Sequence, residues 1–229
     1  VLRYDWLIDV PPLHRPFAAR ELAEATADVP TDVSLKYIFM QAGAADEQAL
    51  AEVDWVSGLA EHLPIAGIIA FAPVELGAGV GTHLDALREH SLVRGVRRMT
   101  QDEAPGFGVS DAFIAGARAV ASAGLTFDAC VRSHLLGDVA ALARAVPALP
   151  IMLDHLGKPP LEGPGGAPGE GFARWQSSLQ ACADEPNVWV KLSGLPGETT
   201  PDWTPEGLTP FMDAALSAFG PDRCVFGSD

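Results

Sequence analysis

Residues Ile151–Pro159 have the sequence IMLDHLGKP, an apolar run that ends abruptly on an acid and an imidazole. Three apolar residues after Pro150 are typical of a short buried strand. Buried strands of parallel sheets are continuously hydrophobic, because helices cover both of their faces. Polar side chains at the carboxyl end of such a strand have no packing role there, and in α/β folds that end is where ligands bind.

Similar apolar runs recur along the chain, separated by stretches with helical spacing of apolar residues. The predicted strands are Ser34–Gln41, Ile65–Phe71, Leu92–Met99, Leu125–Val131, Ile151–His155, Val188–Ser193 and Arg223–Ser228. The predicted helices are Asp46–Leu63, Asp111–Ala123 (with Gly124 as its stop), Asp138–Val146 and Phe172–Ala183. We expect a last helix with Thr209 as its N-cap, Pro210 at its first position and Gly220 just past its end.

Strands that alternate with helices predict a parallel sheet and an α/β fold. Seven strands without a glycine-rich dinucleotide fingerprint favour a (β/α)₈ TIM barrel over a doubly wound sheet. We expect one barrel domain over residues 1–229. A barrel needs an eighth strand, so we expect strand one and the final helix to be absent from this chain.

The charge and composition of the chain exclude some classes of binding partner. The net charge is −15, which argues against nucleic acids and anionic membrane surfaces, because both attract basic patches. No run of 18 apolar residues predicts a membrane span. The three cysteines share no metal-type spacing and are typical of reduced thiols in a cytoplasmic protein. The expected partner is a small-molecule substrate, and the oligomeric state, a homo-oligomer included, stays open.

Polar residues follow most of the predicted strands, and a barrel brings such strand ends to one rim. The candidate site residues are Gln41, Arg97, Gln101, His134, His155 and Asp229. Strand alternation places His155 on the inward side with Leu153 and leaves Asp154 to orient its neighbours. Each residue also has a structural interpretation, as a turn former, a core histidine or an ion-pair partner. Lys158 and Lys191 are expected to pair with carboxylates.

The chain resembles the amidohydrolase-related family 2 of the amidohydrolase superfamily, within it the sugar-lactone lactonases. The resemblance lies in Tyr4–Leu7, the strand ending in Gln41, Arg94–Met99 with Gln101–Glu103, Met152–Pro159, Val190–Gly194 and Phe219–Asp229. It implies a (β/α)₈ hydrolase in which Asp229 activates water, His155 is the strand-six histidine of the site and Arg97 holds the substrate. The family's HxH pair on strand one and the Trp-Pro after its last aspartate are not found in this sequence.

The resemblance favours hydrolysis of a small cyclic ester, a sugar-acid (aldono) lactone. A carboxylate base and positive or hydrogen-bonding groups near the oxyanion suffice for an activated ester. A zinc site needs about three protein ligands, and His155 and Asp229 supply two, so one divalent cation such as Zn²⁺ and no metal both stay open. The alternatives are a metal-dependent decarboxylase or amide hydrolase of the same superfamily, and a non-catalytic or inactive fragment.

Overall fold

The chain folds into two compact units in the computed structural model, which describes residues 1–30 and 32–229. The first unit comprises Val1–Ala72 and Thr82–Arg97, and the second comprises Pro73–Gly81 and Arg98–Asp229. Each unit has its own parallel strands and its own helices. No described helix is long and apolar enough to cross a lipid bilayer.

The first unit carries three strands that pair in parallel in the order of the chain. They are β1 (Tyr37–Met40), β2 (Ile65–Phe71) and β3 (Val93–Arg97). Its helices are α1 (Ala19–Ala25), α2 (Ala49–Leu59) and α3 (Gly81–Arg88), of which Gly81 belongs to the second unit. The middle of β2 is buried, as a strand covered on both faces requires.

The second unit carries four further strands, which also pair in parallel and in chain order. They are β4 (Thr126–Ala129), β5 (Ile151–Leu153), β6 (Val188–Leu192) and β7 (Cys224–Phe226). Its helices are α4 (Asp111–Ser122), α5 (Leu136–Ala145), α6 (Phe172–Ala183) and α7 (Pro205–Phe219). The core of this unit includes Trp175 of α6 and Phe211 of α7, whose ring centroids are 5.2 Å apart.

The predicted α/β class, with parallel strands and helices between them, is confirmed. All seven predicted strands form, most of them shorter at their ends than predicted. The prediction of Gly124 as the stop of α4 is also correct, because this residue follows the helix with φ of +73°. The single domain and the missing eighth strand stay predictions.

The predicted start of the last helix is wrong. The helix begins at Pro205 with Thr204 as its N-cap, and the Thr204 hydroxyl accepts a hydrogen bond from the Gly207 amide at 3.1 Å. Both Thr-Pro pairs fit an N-cap followed by proline at the first position. The earlier start adds a turn that buries Leu208, and this packing outweighs the N–H that Pro210 lacks inside the helix.

Two further expectations need correction. Helices α1 and α3 were not among the predicted elements, because neither has a long apolar stripe. Strand β5 ends at Leu153, two residues earlier than predicted, and Asp154–Gly157 form a 3-10 turn. Strand alternation therefore does not decide which way His155 points.

A buried carboxylate in the first unit makes its stability depend on pH. Glu52 of α2 is 2% exposed, and its Oε1 accepts hydrogen bonds from the Tyr4 hydroxyl at 2.9 Å and the Ala42 amide at 3.2 Å. Burial raises the pKa of Glu52, although these hydrogen bonds and the charge of Arg97 act to lower it. Burial and the neighbouring Glu52 carboxylate also raise the pKa of Tyr4.

We predict that Glu52→Gln removes a loss of stability that the wild type suffers as pH rises. A folded pKa above the unfolded one means that stability is fully present below the unfolded pKa and falls as pH rises through the folded pKa. Each unit of difference is worth about 1.4 kcal/mol. Thermal melts from pH 4 to pH 8 should show that the melting temperature of the variant increases relative to that of the wild type as the pH rises. Glu61→Gln, at an exposed position, is the control, and parallel curves for all three proteins would contradict the prediction.

Candidate active site

The turn after β5 has an unusual backbone. His155, Leu156, Gly157 and Lys158 have φ values of +52°, +55°, +69° and +48°. Residues other than glycine rarely adopt positive φ, and each one costs on the order of 1–3 kcal/mol. Such a conformation persists only where the surroundings impose it, and strained backbone of this kind is concentrated at functional sites.

Packing from two helices imposes this turn. The indole Nε1 of Trp175 in α6 donates a hydrogen bond to the Leu156 carbonyl at 2.9 Å, and both side chains are fully buried. Gly157 lies against the side chain of Leu136 in α5, where a Cβ atom would clash. The Lys158 amide closes the turn by donating to the His155 carbonyl at 2.8 Å. The imidazole of His155 is therefore presented from a rigid support.

Lys191 of β6 forms two buried ion pairs beneath the turn. Its Nζ lies 3.0 Å from Oδ2 of Asp128 and 2.5 Å from Oδ1 of Asp154, as expected for a lysine paired with carboxylates. Burial acts to lower the pKa of Lys191, but the charges of Asp154 and Asp128 outweigh it and raise the pKa. Lys191 is thus an ammonium group that holds Asp154 as its counter-ion, which makes Asp154 unsuited to act as a base.

His155 contacts polar residues that follow the next two strands, β6 and β7. Its Nδ1 lies 2.8 Å from the Ser193 hydroxyl, and its Nε2 lies 3.4 Å from Oδ1 of Asp229. Ser193 follows β6 and Asp229 follows β7, so the residues meet at the carboxyl edge of neighbouring parallel strands. The structure thus brings together the two residues, His155 and Asp229, for which a catalytic role is predicted from sequence.

The environments of the two groups differ. Burial is the main cause that lowers the pKa of His155, the charges of Lys158 and Lys191 act in the same direction, and Asp154 and Asp229 oppose them. A neutral imidazole that donates from Nε2 towards Asp229 leaves Nδ1 to accept from the Ser193 hydroxyl. The Asp229 side chain is 47% exposed, so water can reach its carboxylate.

Gly194 brings the backbone close to both groups. Its φ is +73°, and a Cβ atom at this position would lie 2.5 Å from Nδ1 of His155 and 3.0 Å from Oδ2 of Asp229. Only glycine satisfies both the backbone conformation and the space. In the sequence this glycine contributes only to the family resemblance, although a glycine just after a strand is a signal of close backbone approach.

A second set of charged groups adjoins the histidine and the aspartate. Lys158 Nζ lies 2.6 Å from Oε1 of Glu198, and Arg132 Nη1 lies 3.9 Å from Oε2 of the same carboxylate. Arg132 also pairs with Asp102 at 3.2 Å. Arg132, Lys158 and Glu198 follow β4, β5 and β6, so they belong to the same edge of the second unit. Glu198 was not identified from the sequence, because no pattern marks it.

The other predicted site residues fall into two groups. In the second unit, the Gln101 amide donates to Asp102 at 3.3 Å, whereas His134 is exposed in a 3-10 turn. In the first unit, Arg97 Nη2 donates to the Gln41 carbonyl at 2.5 Å, and Oε1 of Gln41 accepts from Gly43 at 2.7 Å. The buried amide nitrogen of Gln41 has no acceptor among the residues that the structure describes.

One group of side chains could hold a metal ion. Ligand atoms of Cys130, Asp154 and His155 lie within 4.8 Å of one another, and all three residues are buried. A thiol, a carboxylate and an imidazole are ligands that zinc accepts. Of these three residues only His155 was predicted as a metal ligand. The other predicted ligand, Asp229, is not part of this group. Cys130 directly follows β4, so the strand-end argument could have found it.

Comparisons with known proteins agree with this picture. The family model described as amidohydrolase matches residues 8–229. The L-fucono-1,5-lactonase of Burkholderia ambifaria is 36% identical over 59% of this chain and 45% of its own length. The L-rhamnono-gamma-lactonase of Scheffersomyces stipitis is 28% identical over 72% of this chain and 55% of its own. The chain thus spans about half the length of these curated lactonases.

The structural likeness extends over nearly the whole chain. A crystal structure of an amidohydrolase from Burkholderia multivorans with bound Zn superposes with a TM-score of 0.80 at 28% identity. The match covers 99% of this chain and 78% of that one. Because the family model spans almost every residue and the fold agrees, this chain belongs to the amidohydrolase family.

Proposed function

We propose that the protein is a hydrolase that opens a small cyclic ester, a sugar-acid lactone, and that its fold is the (β/α)₈ barrel of the family. The observation that carries the proposal is the half-exposed Asp229 carboxylate, which faces the buried imidazole of His155 at 3.4 Å. The neighbouring carboxylate, Asp154, is already the counter-ion of Lys191. The names of the relatives support lactones as the substrate class.

Asp229 acts as the general base in this proposal. It takes a proton from a water molecule whose oxygen attacks the lactone carbonyl carbon, which gives a tetrahedral intermediate. When the bond between that carbon and the ring oxygen breaks, the proton on Asp229 passes to the ring oxygen, and the product is a hydroxy acid. A positioned base of this kind is typically worth about 10²–10⁴-fold in rate.

His155 stabilises the developing charge. A neutral imidazole with its proton on Nε2 can orient Asp229 before the reaction and donate to the oxyanion as it forms. A preorganised donor of this kind is worth a few kcal/mol. The Ser193 hydroxyl fixes the tautomer through Nδ1, as outer hydrogen-bond partners commonly do for functional histidines.

Substrate binding is proposed for the remaining predicted residues. In the first unit, Arg97 and the buried amide nitrogen of Gln41 offer donors to a carbonyl or hydroxyl oxygen. In the second unit, Gln101 and the exposed His134 are the candidates. The amide of Gln41 has the strongest support, because a buried N–H group without an acceptor is costly unless a ligand supplies one.

A divalent cation is proposed as the cofactor. Cys130, Asp154 and His155 would hold it, and the imidazole would then exchange one of its two hydrogen bonds, to Ser193 or to Asp229, for the cation. When bound, the cation supplies Lewis-acid polarisation of the carbonyl oxygen. The zinc-bound relative supports this choice, whereas the Lys191 ammonium against Asp154 weakens the affinity that these ligands can reach.

Asp229→Asn is expected to lower kcat for lactone opening by about 10²–10⁴-fold, because the amide cannot take the proton from water. The melting temperature should change little. A pH-indicator assay on a panel of aldonolactones measures the rate, and Asp222→Asn is the control, since Asp222 is exposed just before β7. Unchanged turnover in Asp229→Asn would refute the mechanism, and a wild type inactive on every lactone would refute the function.

Gly194→Ala is expected to lower both the melting temperature and kcat. The new methyl group must displace the imidazole of His155, and the alanine backbone must adopt a positive φ. Gly137→Ala is the matched control: a Cβ there meets nothing within 4 Å, and alanine inside a helix stabilises by roughly 0.5–1 kcal/mol. The histidine ¹H–¹⁵N NMR spectrum should change for the site variant alone. An unaltered spectrum and rate would show that Gly194 does not position His155.

Zinc binding is tested without reference to activity. Cys130→Ala should weaken zinc affinity by about tenfold or more in a competition titration with a chromophoric chelator, since metal-site changes of this order are common. Cys224→Ala, which changes a thiol outside the group, should bind zinc as the wild type does. Equal affinity in all three proteins, or no zinc binding by the wild type, would exclude this ligand set.

A further inference from the structure

The ion pair between Lys158 and Glu198 adjoins the proposed reaction centre from two directions. Lys158 is three residues beyond His155, and its amide donates to the His155 carbonyl at 2.8 Å. Glu198 follows Gly197, where a Cβ atom would lie 3.7 Å from Oδ2 of Asp229. The charge of Lys158 also acts to lower the pKa of His155, so the pair lies close enough to influence the proposed reaction centre.

The pair is held in place before any ligand arrives. The positive φ of Lys158 and its backbone hydrogen bond fix where its side chain starts. Arg132 supports Glu198 from the other side at 3.9 Å, and Asp102 in turn holds Arg132. Groups that are already ordered lose little conformational freedom on binding, so their hydrogen bonds to a ligand contribute more to affinity.

The chemistry of the pair fits a hydroxyl group better than a charged one. An ammonium only donates hydrogen bonds and a carboxylate only accepts them, whereas a hydroxyl does both. An anionic group would meet the carboxylates of Glu198 and Asp229 in a chain of net charge −15. The side chains of Lys158 and Glu198 are 14% and 25% exposed, which keeps both reachable.

We infer that Lys158 and Glu198 bind hydroxyl groups of the substrate and so select polyhydroxylated lactones over unsubstituted ones. This inference rests on the proposed lactonase function and names the part of the site that recognises the sugar. Its competitor is a purely structural role, in which the pair only ties the loop after β5 to the loop after β6. If the pair binds hydroxyl groups, its loss impairs mainly the reaction of hydroxylated lactones, whereas loss of a structural pair impairs every lactone alike.

The test compares two lactones with the same six-membered ring, a 1,5-aldonolactone and δ-valerolactone, which has no hydroxyl groups. Lys158→Met should raise KM for the aldonolactone by about ten- to a hundredfold, the value of hydrogen bonds to a charged group. It should lower kcat/KM for δ-valerolactone by a much smaller factor, because that lactone has no hydroxyl group for the pair to bind and loses only the effect of the Lys158 charge on His155. Glu198→Gln, which keeps the shape of the side chain, should act in the same direction.

Arg144→Met is the matched control, because it removes the ion pair with Glu185 at 2.7 Å, which involves neither His155 nor Asp229. It should change neither lactone's kinetics. Equal losses on both lactones in Lys158→Met and Glu198→Gln, together with lower melting temperatures, would assign the pair a structural role and overturn the inference. Unaltered kinetics would overturn it too, as would a wild type that prefers δ-valerolactone. A wild type that opens neither lactone would instead refute the underlying lactonase function, and the inference would fall with it.

Discussion

The buried pairing of Lys191 with Asp128 and Asp154 is the interaction on which the proposed site depends. The three side chains come from β6, from β4 and from the residue after β5, so the ammonium joins consecutive strands at one edge. A buried charge that loses its partner costs several kcal/mol, so each group is tolerable only with the others in place. Because Asp154 directly precedes His155, this pairing holds the chain at the point where the left-handed turn begins.

The charged groups of the second unit differ in their burial and in their partners. Asp154, in the interior, is paired with the ammonium of Lys191. Asp229 is half exposed beside the buried imidazole of His155, whose pKa is lowered by burial, and this environment suits the base proposed above. Carboxylates with different environments can take different roles, one structural and one chemical. The pair of Lys158 and Glu198 comes next, and its opposite charges suit uncharged polar groups of a ligand.

Much of the fold was predictable, because the signals for it are local. Continuous apolar runs identified the strands, and the start and end of α6 were predicted to the residue. The start of α7 was not, because two Thr-Pro pairs give the same local signal and only the burial of Leu208 chooses between them. The orientation of His155 was inferred from alternation in a strand that ends before reaching it. For the site, His155 and Asp229 were identifiable as polar residues after strands, whereas Glu198 and Cys130 were not identified.

The sequence by itself determined that parallel strands end on polar groups. Hydrophobic periodicity and the residue types after each apolar run are local properties, which consecutive residues of the chain specify. The tertiary structure alone decided which of those groups are partners: Asp154 with Lys191, His155 with Ser193 and Asp229, Lys158 with Glu198. The physical reason is that the energy of a charge or hydrogen bond depends on distance and burial. Both quantities arise only when segments far apart in sequence pack together.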